Sequence, residues 1–170
     1  PHPAVVYFGG RSEEVSWVAR DAGRMFPGMA VLAVNYRGYG SSHGQPGEAL
    51  LVEDGRMLFD WLAAREGIDP DRIALVGRSL GSGVAVQVAQ ARTAHSLVLI
   101  TPYDSILAIA KRRFRVVPMN LVLRHRFESV RHAPSLRTPT LVLRAESDDI
   151  VPHVHTDRLV ASLPSLLRDE

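Results

Sequence analysis

At 170 residues the chain fits a single domain, since one hydrophobic core organises roughly 100 to 200 residues. Hydrophobic residues at 46% and charged residues at 22% supply enough burial to offset the entropy of folding, which excludes an intrinsically disordered chain. A formal net charge of +2 makes no case for nucleic-acid binding, and the absence of cysteine excludes a disulfide framework, a thiolate metal site and a cysteine nucleophile.

No apolar run approaches the roughly 20 residues that span a bilayer, no signal-like segment opens the chain, and the cysteine-free composition fits the cytoplasm. Residues 4–8, Ala-Val-Val-Tyr-Phe, predict a buried strand that ends at Gly9-Gly10. Ser12 with Glu13 and Glu14 then supplies a helix start with acidic residues in its first turn, and Val15, Val18, Ala22 and Met25 fall at helical spacing. Ala30–Val34 is wholly apolar, as a central parallel strand buried on both faces should be, and it opens into the glycine-rich loop 35–42.

Residues 48–65 predict an amphipathic helix whose apolar face is mostly Leu51, Leu58, Trp61 and Leu62, with Gly67 ending it. Asp69-Pro70-Asp71 predicts a turn, 72–77 another buried strand, and Leu80–Ala91 a helix rich in small residues. Ser96–Ile100 and Thr140–Leu143 supply two more apolar strands. The stretch 101–138 between them predicts one or two helices over the sheet edge. Its Lys111, Arg112, Arg113, Arg115, Arg124 and Arg126 read as a solvated face, with Phe114, Val117 and Leu121 packing inward. Residues 154–163 predict a last helix, followed by a polar end. The alternation places the chain in the α/β class: a doubly wound, mostly parallel sheet in one domain over 1–170, with a partial cap or edge-helix segment around 102–138.

Gly77-Arg78-Ser79-Leu80-Gly81 matches G-x-S-x-G, in which a sharp strand-to-helix turn lifts a serine hydroxyl above the sheet. The pentapeptide alone is a weak signal, but here a predicted strand precedes it and a predicted helix follows. A dinucleotide fingerprint fails for want of G-x-G-x-x-G, and a phosphate loop fails because no lysine follows the glycines. Serine is a poor nucleophile unless a base takes its proton and a carboxylate orients that base, and in this arrangement the chain order is serine, acid, histidine. Asp148, in the loop after Thr140–Leu143, is the candidate acid, with Asp149 and Glu146 as alternatives. The competing reading is that these acids cap the helix beginning near Pro152.

Three stretches, Asn35-Tyr36-Arg37-Gly38-Tyr39-Gly40-Ser41-Ser42, Gly77-Arg78-Ser79-Leu80-Gly81-Ser82-Gly83 and Asp148-Asp149-Ile150-Val151-Pro152, together resemble the serine hydrolases of the α/β-hydrolase superfamily. More narrowly, they resemble the esterase, lipase and peptidase-like branch related to BEM46 proteins. The resemblance implies an α/β-hydrolase fold and cleavage of a small-molecule ester or amide through an acyl-enzyme on Ser79, with no metal or organic cofactor. It also implies an oxyanion hole made by the backbone N–H groups of Leu80 and Gly10. Where the family often has His-Gly this chain has Phe8-Gly9, a departure of little weight because the donor is a backbone amide.

The family's histidine lies in a loop after one more strand beyond the acid. Here 22 residues follow Asp148 (170 minus 148), and they read as a helix and a polar end. His153 and His155 sit too close to the acid in sequence. His43, His95, His125 and His132 read as surface or loop residues, and His2 is terminal. Two expectations follow. The favoured one is a hydrolase cut short at both ends, inactive as this stretch alone; the other is a catalytically degenerate binding module on the same fold.

Overall fold

In the computed structural model, which describes residues 1–114 and 116–170, six strands form one sheet. They are β1 (His2–Phe8), β2 (Ala30–Val34), β3 (Ile68–Arg78), β4 (Ser96–Ile100), β5 (Thr140–Leu143) and β6 (Leu166–Asp169), in the order β2-β1-β3-β4-β5-β6. Every neighbouring pair is parallel, so all strands deliver their following loops to one edge, where sites of open α/β sheets form. The connections carry α1 (Ser16–Met25), α2 (Glu48–Ala63), α3 (Leu80–Ala91), then α4 (Ile106–Arg113), α5 (Met119–Val122) and α6 (Ser129–His132), and finally α7 (His153–Val160). No described helix is long and apolar enough to cross a membrane.

Alternation along β1 divides the core between the two faces of the sheet. Ala4, Val6 and Phe8 pack with Leu51, Phe59 and Leu62 of α2, with α3, and with Leu159 of α7. Val5 and Tyr7 pack on the other face with Val15 and Val18. Helices therefore cover both faces, as the doubly wound reading requires.

Local departures from the sequence reading have physical causes. The wholly apolar β2 sits at one end of this sheet, paired only with β1, and four of its five residues are partly exposed; an uninterrupted apolar run does not distinguish centre from edge. The predicted turn Asp69-Pro70-Asp71 is absorbed into β3 as a bulge. Pairing steps from His2↔Ile68 to Ala4↔Ile73, two residues on β1 against five on β3. Trp61 is exposed, its ring covered by the Arg65 guanidinium 3.9 Å from the centroid, and Val52, Gly55 and Phe59 complete the buried face of α2 instead. The first helix starts at Ser16 with no acid in its first turn, because Glu13 and Glu14 are committed elsewhere.

The polar end is a sixth strand. Thr140 N–H donates to Ser165 O at 2.9 Å, Glu170 N–H donates to Val142 O at 3.0 Å, and the Arg144 guanidinium grips the Asp169 carboxylate. In the segment 101–138, Phe114, Val117 and Leu121 face solvent rather than the core, which is filled by Tyr103, Leu107, Phe127, Ala133 and Leu136. Arg115 of the predicted basic face lies outside the described residues.

Candidate active site

The strand β3 runs directly into α3, and the residue between them, Ser79, has φ 48° and ψ −115°. A side-chain-bearing residue rarely adopts that backbone. Flanking glycines permit the turn by steric necessity. A Cβ at Gly81 would overlap the Phe8 carbonyl oxygen and lie 2.6 Å from that of Gly9, and a Cβ at Gly77 would lie 2.5 Å from Gly81 O. The first turn of α3 thus rests on the backbone that leaves β1.

Hydrogen bonds stitch this edge together. Ser79 N–H donates to Ile100 O at 2.9 Å, and Thr101 N–H donates to Leu143 O at 2.8 Å, linking the ends of β3, β4 and β5. Ser82 donates to Ser79 O twice, from N–H at 2.9 Å and from Oγ at 2.6 Å. Ser79 itself stays partly exposed.

Gly10 lies against Ser79: a Cβ on it would sit 3.6 Å from the serine's Cβ. Its N–H donates to Glu13 Oε2 at 2.6 Å, and that oxygen also accepts Arg78 Nη1 at 3.1 Å. Glu13 Oε1 accepts Tyr7 Oη and Trp17 Nε1, each at 3.1 Å. Burial, reinforced by this carboxylate, pushes the Tyr7 phenol well above its ordinary value. One carboxylate therefore joins the loop after β1 to the residue preceding Ser79. The buried Tyr36 adds a second tie, its Oη donating to Gly9 O at 3.1 Å.

A cavity of about 210 Å³ is lined by Leu80, the residue after Ser79, with Arg11, Tyr39, Leu51, Ile106 and Phe127. Glu48 also lines it, but its carboxylate is occupied by the N–H groups of Arg126 (2.8 Å) and Phe127 (3.0 Å) and by Gln87 Nε2 (3.1 Å). A larger hollow of about 530 Å³, between residues 89–94 and 135–139, lies at the opposite edge of the sheet, where β4 and β5 begin.

Asp148 stands in the loop after β5, at the same edge as Ser79. Its Oδ1 accepts Ile150 N–H at 2.9 Å and Val151 N–H at 2.8 Å, which orients the carboxylate. Helix α7 begins after Pro152 with no side-chain cap, so the acids of this loop do not serve as one. Glu146 and Asp149 are exposed. His153 turns its Nε2 to Glu146 O at 3.3 Å.

His155 is buried and points elsewhere. Its Nδ1 donates to Asp104 Oδ1 at 2.8 Å, with both side chains almost wholly enclosed, and Asp104 also accepts its neighbour Ser105 N–H at 2.6 Å. Nothing in the sequence links residues 104 and 155. His125, read as a loop residue, lines the cavity and accepts Glu48 N–H at Nδ1, 3.2 Å away.

Comparison with known proteins agrees with this fold. An uncharacterized protein of Mycobacterium tuberculosis is 37% identical over 161 residues, 94% of this chain and 57% of that protein. The lysophosphatidylserine lipase of Xenopus tropicalis is 29% identical over 147 residues, 74% of this chain and 36% of the lipase. The crystal structure of an alpha-beta hydrolase from Vibrio vulnificus aligns with a TM-score of 0.76 at 25% identity, over 98% of this chain and 65% of that one. The chain spans about half the length, or less, of the curated relatives it matches. Residues 1–111 match the Hydrolase_4 family, described as serine aminopeptidase, S33, and with its six-stranded parallel sheet the chain belongs to that family within the α/β-hydrolase superfamily.

Proposed function

We propose that this chain supplies the nucleophile, the acid and the oxyanion site of a serine hydrolase that works through an acyl-enzyme on Ser79. The backbone at Ser79 carries the reading. A non-glycine residue at φ 48° costs roughly 1–3 kcal/mol and persists because the surrounding structure holds it, here the glycines and backbone bonds at the β3–α3 junction. In a strand–serine–helix bend of this kind the hydroxyl is expected to stand clear of the sheet, and the next residue, Leu80, lines the cavity.

In the proposed cycle an imidazole takes the Ser79 proton as Oγ attacks the substrate carbonyl. It then gives that proton to the departing alcohol or amine, and water releases the acyl group by the same steps in reverse order. Asp148 steadies the imidazolium with its second carboxylate oxygen, the first being held by Ile150 and Val151 N–H. Neither His153 nor His155 is placed for this, since one binds Glu146 O and the other is committed to Asp104. The resemblance assigns the base to a loop that follows one more strand beyond the acid, and β6 is such a strand. The base is therefore assigned to a histidine outside residues 1–170.

Negative charge developing on the carbonyl oxygen is met by the Leu80 N–H and by the strip Gly10–Arg11. The Gly10 N–H is bound to Glu13 in the resting arrangement, so Arg11, which lines the same cavity as Leu80, is proposed as the second donor. An ester fits the cavity better than a peptide with a free amino terminus. The lining is largely apolar, and its one carboxylate, Glu48, already accepts three donors, which weakens its hold on an ammonium group.

The test is covalent labelling of the full-length protein with a fluorophosphonate. Ser79 should be modified and Ser79→Ala should not, and the isolated 170-residue chain should react far more slowly. An unlabelled full-length protein would instead support a non-catalytic binding role for the fold.

A further inference from the structure

Charge and apolar exposure coincide in one stretch of the segment that walls the cavity. Residues 105–127 contain no Asp or Glu but six Lys or Arg: Lys111, Arg112, Arg113, Arg115, Arg124 and Arg126. With a chain total of +2, the remainder carries 2 − 6 = −4, so the cationic character of the protein is concentrated here. Lys111, Arg112, Arg113 and Arg124 are exposed, and among the described residues none of them forms an ion pair.

The apolar side chains between these cations face water. Val116 is 96% exposed, Leu121 85%, Val122 60%, Phe114 50% and Val117 39%. Of eleven exposed large apolar side chains among the described residues, these five fall within nine consecutive positions, a concentration along the chain rather than the usual scatter. Isolated exposed apolar groups need no partner, but a cluster of this density does.

The chemistry selects the partner. A protein partner would have to place several acids against these closely spaced cations while also covering the apolar groups between them. An anionic bilayer meets both demands at once, because apolar side chains enter the headgroup–acyl boundary while cations stay among the phosphates. Placement agrees. Ile106, His125 and Phe127, at the two ends of the same segment, line the cavity that Leu80 also lines, so the stretch 111–124 is tied at both ends to its wall.

We infer that residues 111–124 dock the protein peripherally on anionic phospholipid bilayers. This docking does not depend on the chemistry at Ser79, so it is read by binding alone. Full-length protein should sediment with vesicles of phosphatidylcholine mixed with phosphatidylserine and only weakly with phosphatidylcholine alone, with binding falling as salt rises. Each cation at such a surface is worth roughly five-fold in affinity, so Arg112→Glu with Arg113→Glu should lose roughly twenty-fold or more on the mixed vesicles. Val116→Asp with Leu121→Asp should abolish binding to both compositions. All four side chains are exposed, and unchanged thermal unfolding of the variants would show that folding is intact. Wild-type binding by both double variants would overturn the inference. So would failure of the native protein to bind either vesicle, retention on nucleic acid in place of vesicles, or a dimer that Val116→Asp dissociates.

Discussion

Glu13 Oε2 accepts the Gly10 N–H at 2.6 Å, so the loop facing Ser79 is held by a carboxylate as well as by the longer backbone bond from Glu13 N–H to Gly10 O at 3.3 Å. The same oxygen receives Arg78, one residue before Ser79 and 65 positions along the chain from Glu13. Cutting this clamp should loosen the oxyanion site without removing any group that touches the substrate. Misplacing a site by about 1 Å can cost a hundred-fold. We expect fluorophosphonate labelling of Ser79 in the full-length protein to slow ten- to a hundred-fold on average in Glu13→Ala. Glu13→Gln, which keeps an acceptor for Gly10, should fall in between. An unchanged labelling rate in Glu13→Ala would remove the clamp from the mechanism.

Asp148→Asn retains the oxygen that accepts Ile150 and Val151 N–H, so the loop should keep its shape and its contribution to stability. What disappears is the charge that steadies an imidazolium. Labelling of Ser79 in the full-length protein should drop by as much as about ten-thousand-fold, with the unfolding midpoint unmoved. A large loss of stability in place of lost reactivity would make the residue structural.

Gly81→Ala inserts a methyl group into the space occupied by the Phe8 and Gly9 carbonyl oxygens. Backbone on both sides cannot yield as a side-chain tip can. The variant should lose about 3 kcal/mol or more in urea unfolding, at the upper end of overpacking costs. A loss below about 1 kcal/mol would contradict so close an approach of α3 to the end of β1.

Burial pushes the phenols of Tyr36 and Tyr103 above the ordinary value of 10.0, and at Tyr7 the Glu13 carboxylate adds to the effect. Because the folded pKa values are raised, the folded chain holds more protons than the unfolded chain once the pH passes about 10. Stability from these groups is fully present below that pH and declines above it. Phenolate absorbance should therefore rise for these three residues together with unfolding, as followed by circular dichroism. Their titration near pH 10 in a chain that stays folded would refute the burial argument.

The parts of this fold that the sequence discloses are those whose signal is local. The strands Ser96–Ile100 and Thr140–Leu143 and the helix Leu80–Ala91 follow from short apolar runs and small-residue spacing, and they hold to the residue. Other features depend on partners far along the chain. Glu13 and Glu14 resemble the first turn of a helix until Gly10, Arg78 and Asn35 claim them. β6 has four residues, two of them charged, and owes its existence to β5 and to Arg144. The Asp104–His155 pair joins positions 51 apart with no motif at either end. The exposure of Phe114, Val117 and Leu121 is equally hidden, because helical spacing is the same whether an apolar face finds a neighbour or not.

The bend at position 79 also bears on how such a protein ages under selection. Glycine adopts positive φ freely, and its extra unfolded-state entropy costs only about 0.5–1 kcal/mol, less than the strain a serine can carry there. Ser79→Gly would therefore make the chain sturdier while erasing its hydroxyl. Durability and reactivity pull in opposite directions at this corner, and only the side chain that carries strain carries the hydroxyl.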